Sequence, residues 1–199
     1  MVDLGMVWLL MVVLNQDPGP AYLSGNISVE SFETKGRSTI QGSVAFDLKT
    51  GKEKVWAELI THTVADNKTR HQILILRFDT GHVYRLNPEE KTYAELPVKD
   101  SQKLLEGLRQ VYLGGPDGKK NARTSTPPAG VTGYRTCKKV DAGRYTTIFY
   151  LDPKLANAVT RIDVSSNAEN LAVVNKLTNA DTKPIPESRF EIPTGYTKK

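Results

Sequence analysis

The sequence is poor in the residues that carry most protein chemistry. It has one cysteine and three histidines in 199 residues, and its aromatic content is 8%. A single thiol, Cys137, forms no internal disulfide, so a stapled scaffold is excluded. The chain is long enough to bury a core without staples and suits one domain. Metal sites need clustered ligands. His62 and His71 flank the turn signal Asp66-Asn67, and two histidines on neighbouring strands do not make a zinc site. No metal and no cofactor is therefore expected.

Long like-charge runs are missing as well. Lys and Arg number 27 against 22 Asp and Glu, a net charge of +5. This surplus is scattered, with the short pairs Lys119-Lys120, Lys138-Lys139 and Lys198-Lys199. Without a basic run, zinc-finger spacing or an aromatic-basic signature, the surplus reads as a solvated mixed-charge surface rather than a nucleic-acid footprint. Catalytic strings are absent too. Gly36-Arg37-Ser38 and Gly42-Ser43 are not a nucleophile elbow. Gly114-Gly115-Pro116-Asp117-Gly118-Lys119 has the wrong spacing for a phosphate loop, and Pro116 removes an N–H donor. Cys137, in Thr136-Cys137-Lys138-Lys139, reads as a small half-buried strand residue. The competing reading is a thiol whose pKa its basic neighbours lower. No enzyme activity is expected.

No hydrophobic run reaches the roughly 20 residues of a membrane-spanning helix. Met6 to Leu14 is an unbroken apolar run of nine, the length of the hydrophobic region of an export signal. Asp3 stands where such a signal has a basic residue, and no small-x-small site follows. The breaker Asn15-Gln16-Asp17-Pro18-Gly19-Pro20 comes next. Residues 1–20 are expected to be a signal-like leader with a polar spacer, cleaved or unpacked, and 21–199 one domain. That reading would place the domain outside the cytoplasm; the competing reading is a buried N-terminal strand or helix.

What the chain does have is alternation. Turn signals at Thr50-Gly51, Asp66-Asn67, Thr80-Gly81, Asn87-Pro88 and Ala142-Gly143 separate strand candidates. Val44, Phe46 and Leu48 fall at period two, as do Val55, Ala57 and Leu59. Ile73-Leu74-Ile75-Leu76 is a continuous run that suits a strand covered on both faces. Strands are also expected at 27–32, 82–86, 91–98, 131–140 and 144–151. The segments 155–164 and 171–177 read equally as strands or a short helix. One stretch has helical period. Within Asp100 to Leu113, Leu104, Leu105, Leu108, Val111 and Tyr112 form an apolar stripe, capped by Asp100 or Ser101 and ended by Gly114-Gly115-Pro116. Pro116 to Gly130 reads as a polar loop.

Three strings resemble a known pattern. Val83-Tyr84-Arg85-Leu86-Asn87-Pro88-Glu89-Glu90-Lys91-Thr92-Tyr93 is similar to the Asn-Pro hairpin of uncharacterised bacterial periplasmic proteins. These are related to the lipoprotein-carrier superfamily, the Lol-type half-barrel. Tyr150-Leu151-Asp152-Pro153 and the ending Phe190-Glu191-Ile192-Pro193-Thr194-Gly195-Tyr196 resemble two further turns of that pattern. The resemblance implies a curved antiparallel sheet forming an open half-barrel, with a helix against its concave face. It implies carriage of an acyl chain or another hydrophobic ligand between them, and supplies no binding residue.

The site expected from periodicity is an apolar space between that helix and the sheet. Leu104, Leu105 and Leu108 would face Val44, Phe46, Val55, Leu59 and Tyr93 across it. The competing expectation is a structural or protein-interaction domain whose interior large side chains fill.

Overall fold

The structure, a computed structural model, describes residues 19–33, 36–49, 52–64, 67–96 and 122–199. Most of the leader and the helix expected at 100–113, with Leu104, Leu105 and Leu108, lie outside the described residues.

The described chain is almost entirely strand. A first meander contains β1 (Tyr22–Glu33), β2 (Gly36–Asp47), β3 (Lys54–Thr63), β4 (Lys68–Arg77), β5 (His82–Asn87) and β6 (Thr92–Leu96). A second contains β7 (Arg123–Ser125), β8 (Thr136–Ala142), β9 (Tyr145–Asp152), β10 (Ala158–Ser166) and β11 (Leu171–Asp181). The chain closes with β12 (Thr197–Lys198). All belong to one unclosed sheet of 12 strands, in the order β12-β6-β5-β4-β3-β2-β1-β11-β10-β9-β8-β7. The meanders join where β1 lies antiparallel to β11. The expected antiparallel order has one exception: β12 runs parallel to β6. Both edge strands are very short, which leaves few unpaired backbone groups for edge-to-edge association.

The turns follow from their residues. Asn87 Oδ1 accepts hydrogen bonds from the backbone N–H groups of Glu89 (3.0 Å) and Glu90 (3.1 Å), so its side chain sets the β5–β6 turn. Between β8 and β9 the loop is only Gly143-Arg144, and Gly143 has φ +61°, the left-handed conformation that tight hairpins require. Asp152 accepts from the Lys154 N–H at 2.9 Å and caps a 3-10 turn, Pro153–Leu155, ahead of β10.

The two ambiguous segments are both strands, and in the first a bulge explains the ambiguity. The β9–β10 register shifts between Val159 and Arg161. The extra residue puts Val159 and Ile162, three apart, into the same core cluster, and that spacing imitates a helix.

Directly opposed residues of antiparallel neighbours project from the same face. The register therefore aligns one apolar row across six strands, Leu23-Phe46-Val55-Leu76-Val83-Leu96. Another row, Ile40-Val29-Asn175-Ile162-Phe149, crosses the joint between the meanders. The apolar members of both rows form a single core cluster spread along the sheet, with Leu96 packed against it. On this face Gly42 has no room for a side chain, since a Cβ there would sit 1.9 Å from the Glu58 carbonyl oxygen. Glycine inside a strand marks such close backbone approaches and the bends that go with them.

The opposite face carries a smaller cluster, Ala45, Trp56, Ile73, Ile75, Leu86 and Phe190. Phe190 arrives from the C-terminal 3-10 turn Glu187–Phe190 and is 1% exposed. The chain then turns at Gly195, φ +89°, to reach β12.

Candidate hydrophobic-ligand face

Four of the expected site residues stand together. Val44 and Phe46 on β2 and Val55 and Leu59 on β3 project from the apolar face, each at most 2% exposed. Phe46 opposes Val55 directly, and Val44 opposes Ala57 between Val55 and Leu59. Their grouping follows from period two within each strand and from the β2–β3 register.

Tyr93 does not join them, and the expectation that it faces the same space is corrected. In β6 it is Leu96, paired with Val83, that continues the apolar row, and Tyr93 lies three positions away. It projects from the opposite face, where its ring meets Tyr84 edge-on at 6.1 Å and packs on the Phe190 cluster. Thr92-Tyr93-Ala94-Glu95-Leu96 alternates too weakly to assign its faces without the neighbouring strand.

Polar side chains within the apolar face are the feature that sequence reading missed. Three buried side-chain atoms of the described residues lack a hydrogen-bond partner: Thr61 Oγ1, Ser166 Oγ and Asn175 Oδ1. The register puts all three on this face. Thr61 opposes Ile40, Ser166 opposes Leu171, and Asn175 opposes Val29 and Ile162. Asn175 is 1% exposed. Its Nδ2 donates to the Ile162 carbonyl at 3.0 Å, which holds the amide in place and leaves the oxygen unanswered. A buried acceptor without a donor costs about 1–3 kcal/mol. The signal was legible, since Val173, Asn175 and Leu177 fall at period two and a polar residue occupies the apolar phase.

The opposite face answers its polar groups. Lys54 Nζ reaches both carboxylate oxygens of Glu187 at 2.6 Å and fastens the C-terminal turn to β3. Arg77 donates to both oxygens of Asp79, from Nε at 2.9 Å and Nη2 at 2.8 Å. The Arg77 hydrogen bond holds the Asp79 carboxyl below the usual range, against burial, which acts the other way. On β9 and β10, the Tyr150 hydroxyl donates to Asp163 at 2.8 Å, and Arg161 donates to both oxygens of that carboxylate. Burial first, and this bond second, push the Tyr150 phenol well above its ordinary value. Tyr134 packs on Tyr150 with ring centroids 5.2 Å apart.

Cys137 is buried more deeply than expected, 1% exposed, with its sulfur 3.1 Å from Ser125 Oγ. The histidines are engaged separately. His62 meets Thr69 at 3.3 Å, His71 meets Glu58 at 2.9 Å, and His82 meets Glu95 at 2.7 Å. Among the described residues no group of three or more His, Cys, Asp or Glu side chains is placed to hold a metal ion. Nor is any helix of the described residues long and apolar enough to cross a membrane.

No protein-family model matches the sequence, and no curated protein matches it significantly. Solved structures do overlap it along nearly its whole length. An uncharacterized conserved protein from Thermus thermophilus superposes with a TM-score of 0.52 at 8% identity, covering 98% of each chain, and the two share a fold. A putative outer membrane lipoprotein-sorting protein domain from Vibrio parahaemolyticus overlaps more loosely, with a TM-score of 0.41 at 9% identity, covering 93% of this chain and 95% of that one. The Mycobacterium tuberculosis lipoprotein LppX overlaps with a TM-score of 0.43 at 8% identity, covering 93% and 99%.

Proposed function

We propose that the protein is a non-enzymatic binding domain that works outside the cytoplasm of a bacterial cell and takes up an acyl chain or similar hydrophobic ligand on the apolar face. The observation that carries this reading is the extent of that face. One apolar cluster runs from β5 through the joint of β1 and β11 to β8, in a sheet that does not close. Val44, Phe46, Val55 and Leu59 are the contacts proposed on the sheet, with Leu104, Leu105 and Leu108 opposite them in a half-barrel arrangement. The leader-like run at Met6 to Leu14 supports export. Each buried CH₂ contributes about 0.8 kcal/mol, so roughly ten of them give about 8 kcal/mol before ordering costs, the scale of micromolar binding.

A second reading, a structural or protein-interaction domain with a filled interior, draws on the complete burial of Phe46 and Phe149. Titration with a fluorescent fatty acid separates the two. Under the first reading the parent binds the probe, and Leu59→Trp weakens binding while the far-ultraviolet spectrum is kept. Under the second, the parent shows no saturable binding, and Leu59→Trp costs roughly 1–3 kcal/mol of stability through overpacking. That second outcome would remove the carrier reading.

A further inference from the structure

We infer that the ligand of the apolar face is an acyl chain bearing a hydrogen-bond donor along its length, a hydroxyacyl chain, and that Asn175 Oδ1 receives that donor. The inference rests on the reading of this face as a hydrophobic-ligand site and names the class of ligand it takes.

Asn175 stands in the middle of the sheet, on β11, where the two meanders meet. Val29 flanks it on one side and Ile162 on the other, both buried. Its amide cannot turn over to hide the oxygen, because Nδ2 is already committed to the Ile162 carbonyl at 3.0 Å. Reversal would set two acceptors against each other. Oδ1 therefore remains an acceptor in an apolar layer, with no donor among the described residues. A purely hydrocarbon ligand would leave it unanswered and keep its desolvation cost. An ester or ketone oxygen, another acceptor, would be repelled. A hydroxyl group placed part-way along a chain supplies the missing donor and leaves the rest of the chain against the apolar rows.

Two further unpartnered groups extend the pattern. Thr61 lies in the same row as Asn175, beyond Ile40 and Val29, and Ser166 lies on the neighbouring strand β10. Three strand spacings separate Thr61 from Asn175, roughly 14 Å. That distance suits a chain lying across the strands rather than one polar head at one end. Both hydroxyls donate as well as accept, so they tolerate either kind of group. Asn175 alone discriminates by donor.

The test uses the full-length protein and three probes of equal length: stearate, a mid-chain hydroxystearate and a mid-chain oxostearate. Binding is measured by calorimetry, with folding followed by circular dichroism. The parent is expected to prefer the hydroxy acid to stearate by about tenfold, with the oxo acid no better than stearate. Asn175→Leu is expected to abolish the preference while stearate still binds. Equal affinities of the parent for all three probes would overturn the inference and leave the carrier reading intact. So would a preference that survives Asn175→Leu. Should that variant not fold, the ranking of the three probes by the parent decides alone. Failure of the parent to bind any probe would overturn the carrier reading itself, and this inference with it.

Discussion

The two faces of the sheet solve the same problem differently. The apolar face is continuous, and the only unpartnered buried polar side-chain atoms among the described residues are found on it. The opposite face is divided. Its smaller apolar cluster lies under the C-terminal turn, and beside it the charged side chains are arranged in short-range pairs and networks. A buried polar group is costly unless answered, so a face that exists only for stability answers its polar groups, as the opposite face does. The face that leaves Asn175 unanswered departs from that rule, and such departures mark the places where a protein trades stability for something else.

The comparison can be broken at its strongest point first. Phe46→Ala removes a fully buried ring from the long row of the apolar face, and should cost roughly 3–5 kcal/mol in urea-induced unfolding. If the loss were below about 1 kcal/mol, the face would not be a cooperative core.

Phe190→Ala tests the opposite face. It should cost about 3 kcal/mol, with a different signature. The C-terminal segment loses its anchor, so hydrogen exchange should quicken first at the Thr197 and Lys199 amides, which donate to Lys91 and Tyr93 carbonyls. Uniform quickening across the sheet would show that this cluster is not separable from the other.

Gly42→Ala probes the close approach. A methyl group there collides with the Glu58 carbonyl, so roughly 1–3 kcal/mol should be lost through displaced backbone. The thermal midpoint reads this directly, and an unchanged midpoint would argue against a bend at that position.

Asp79 supplies the smallest effect and a pH dependence. Its folded pKa lies below the unfolded value, chiefly through the Arg77 hydrogen bond. Its contribution is therefore complete above the ordinary carboxylate range near pH 4, and is lost as pH falls through the lowered folded value. Asp79→Asn should cost up to about 1 kcal/mol at neutral pH, and the difference from the parent should shrink below pH 3. A difference that grows on acidification would contradict the assignment.

Local structure was legible in the sequence because it depends on neighbours in the chain. Val44 with Phe46 and Val55 with Leu59 share a face through the two-residue period of a strand, whatever lies beside them. Asn87, Asp152 and Gly143 mark their turns because the preference resides in their own side chains or backbone freedom. The β10 segment was less legible, since one bulge at Val159 to Arg161 shifts the period from two to three.

What the tertiary structure alone decided is which strands lie side by side, and so which faces merge. The pairing of β1 with β11 brings Ser28 opposite Lys176, far apart in the chain, and no local preference encodes that partnership. The pairing of β6 with β5 sets the face of Tyr93, because a short and weakly alternating strand takes its orientation from its neighbour's register. Asn175 follows the same logic. Its own strand placed it in the apolar phase. Only the tertiary structure set it between Val29 of β1 and Ile162 of β10, buried and with its oxygen without a donor among the described residues, because burial and partnering are properties of the surroundings rather than of the residue.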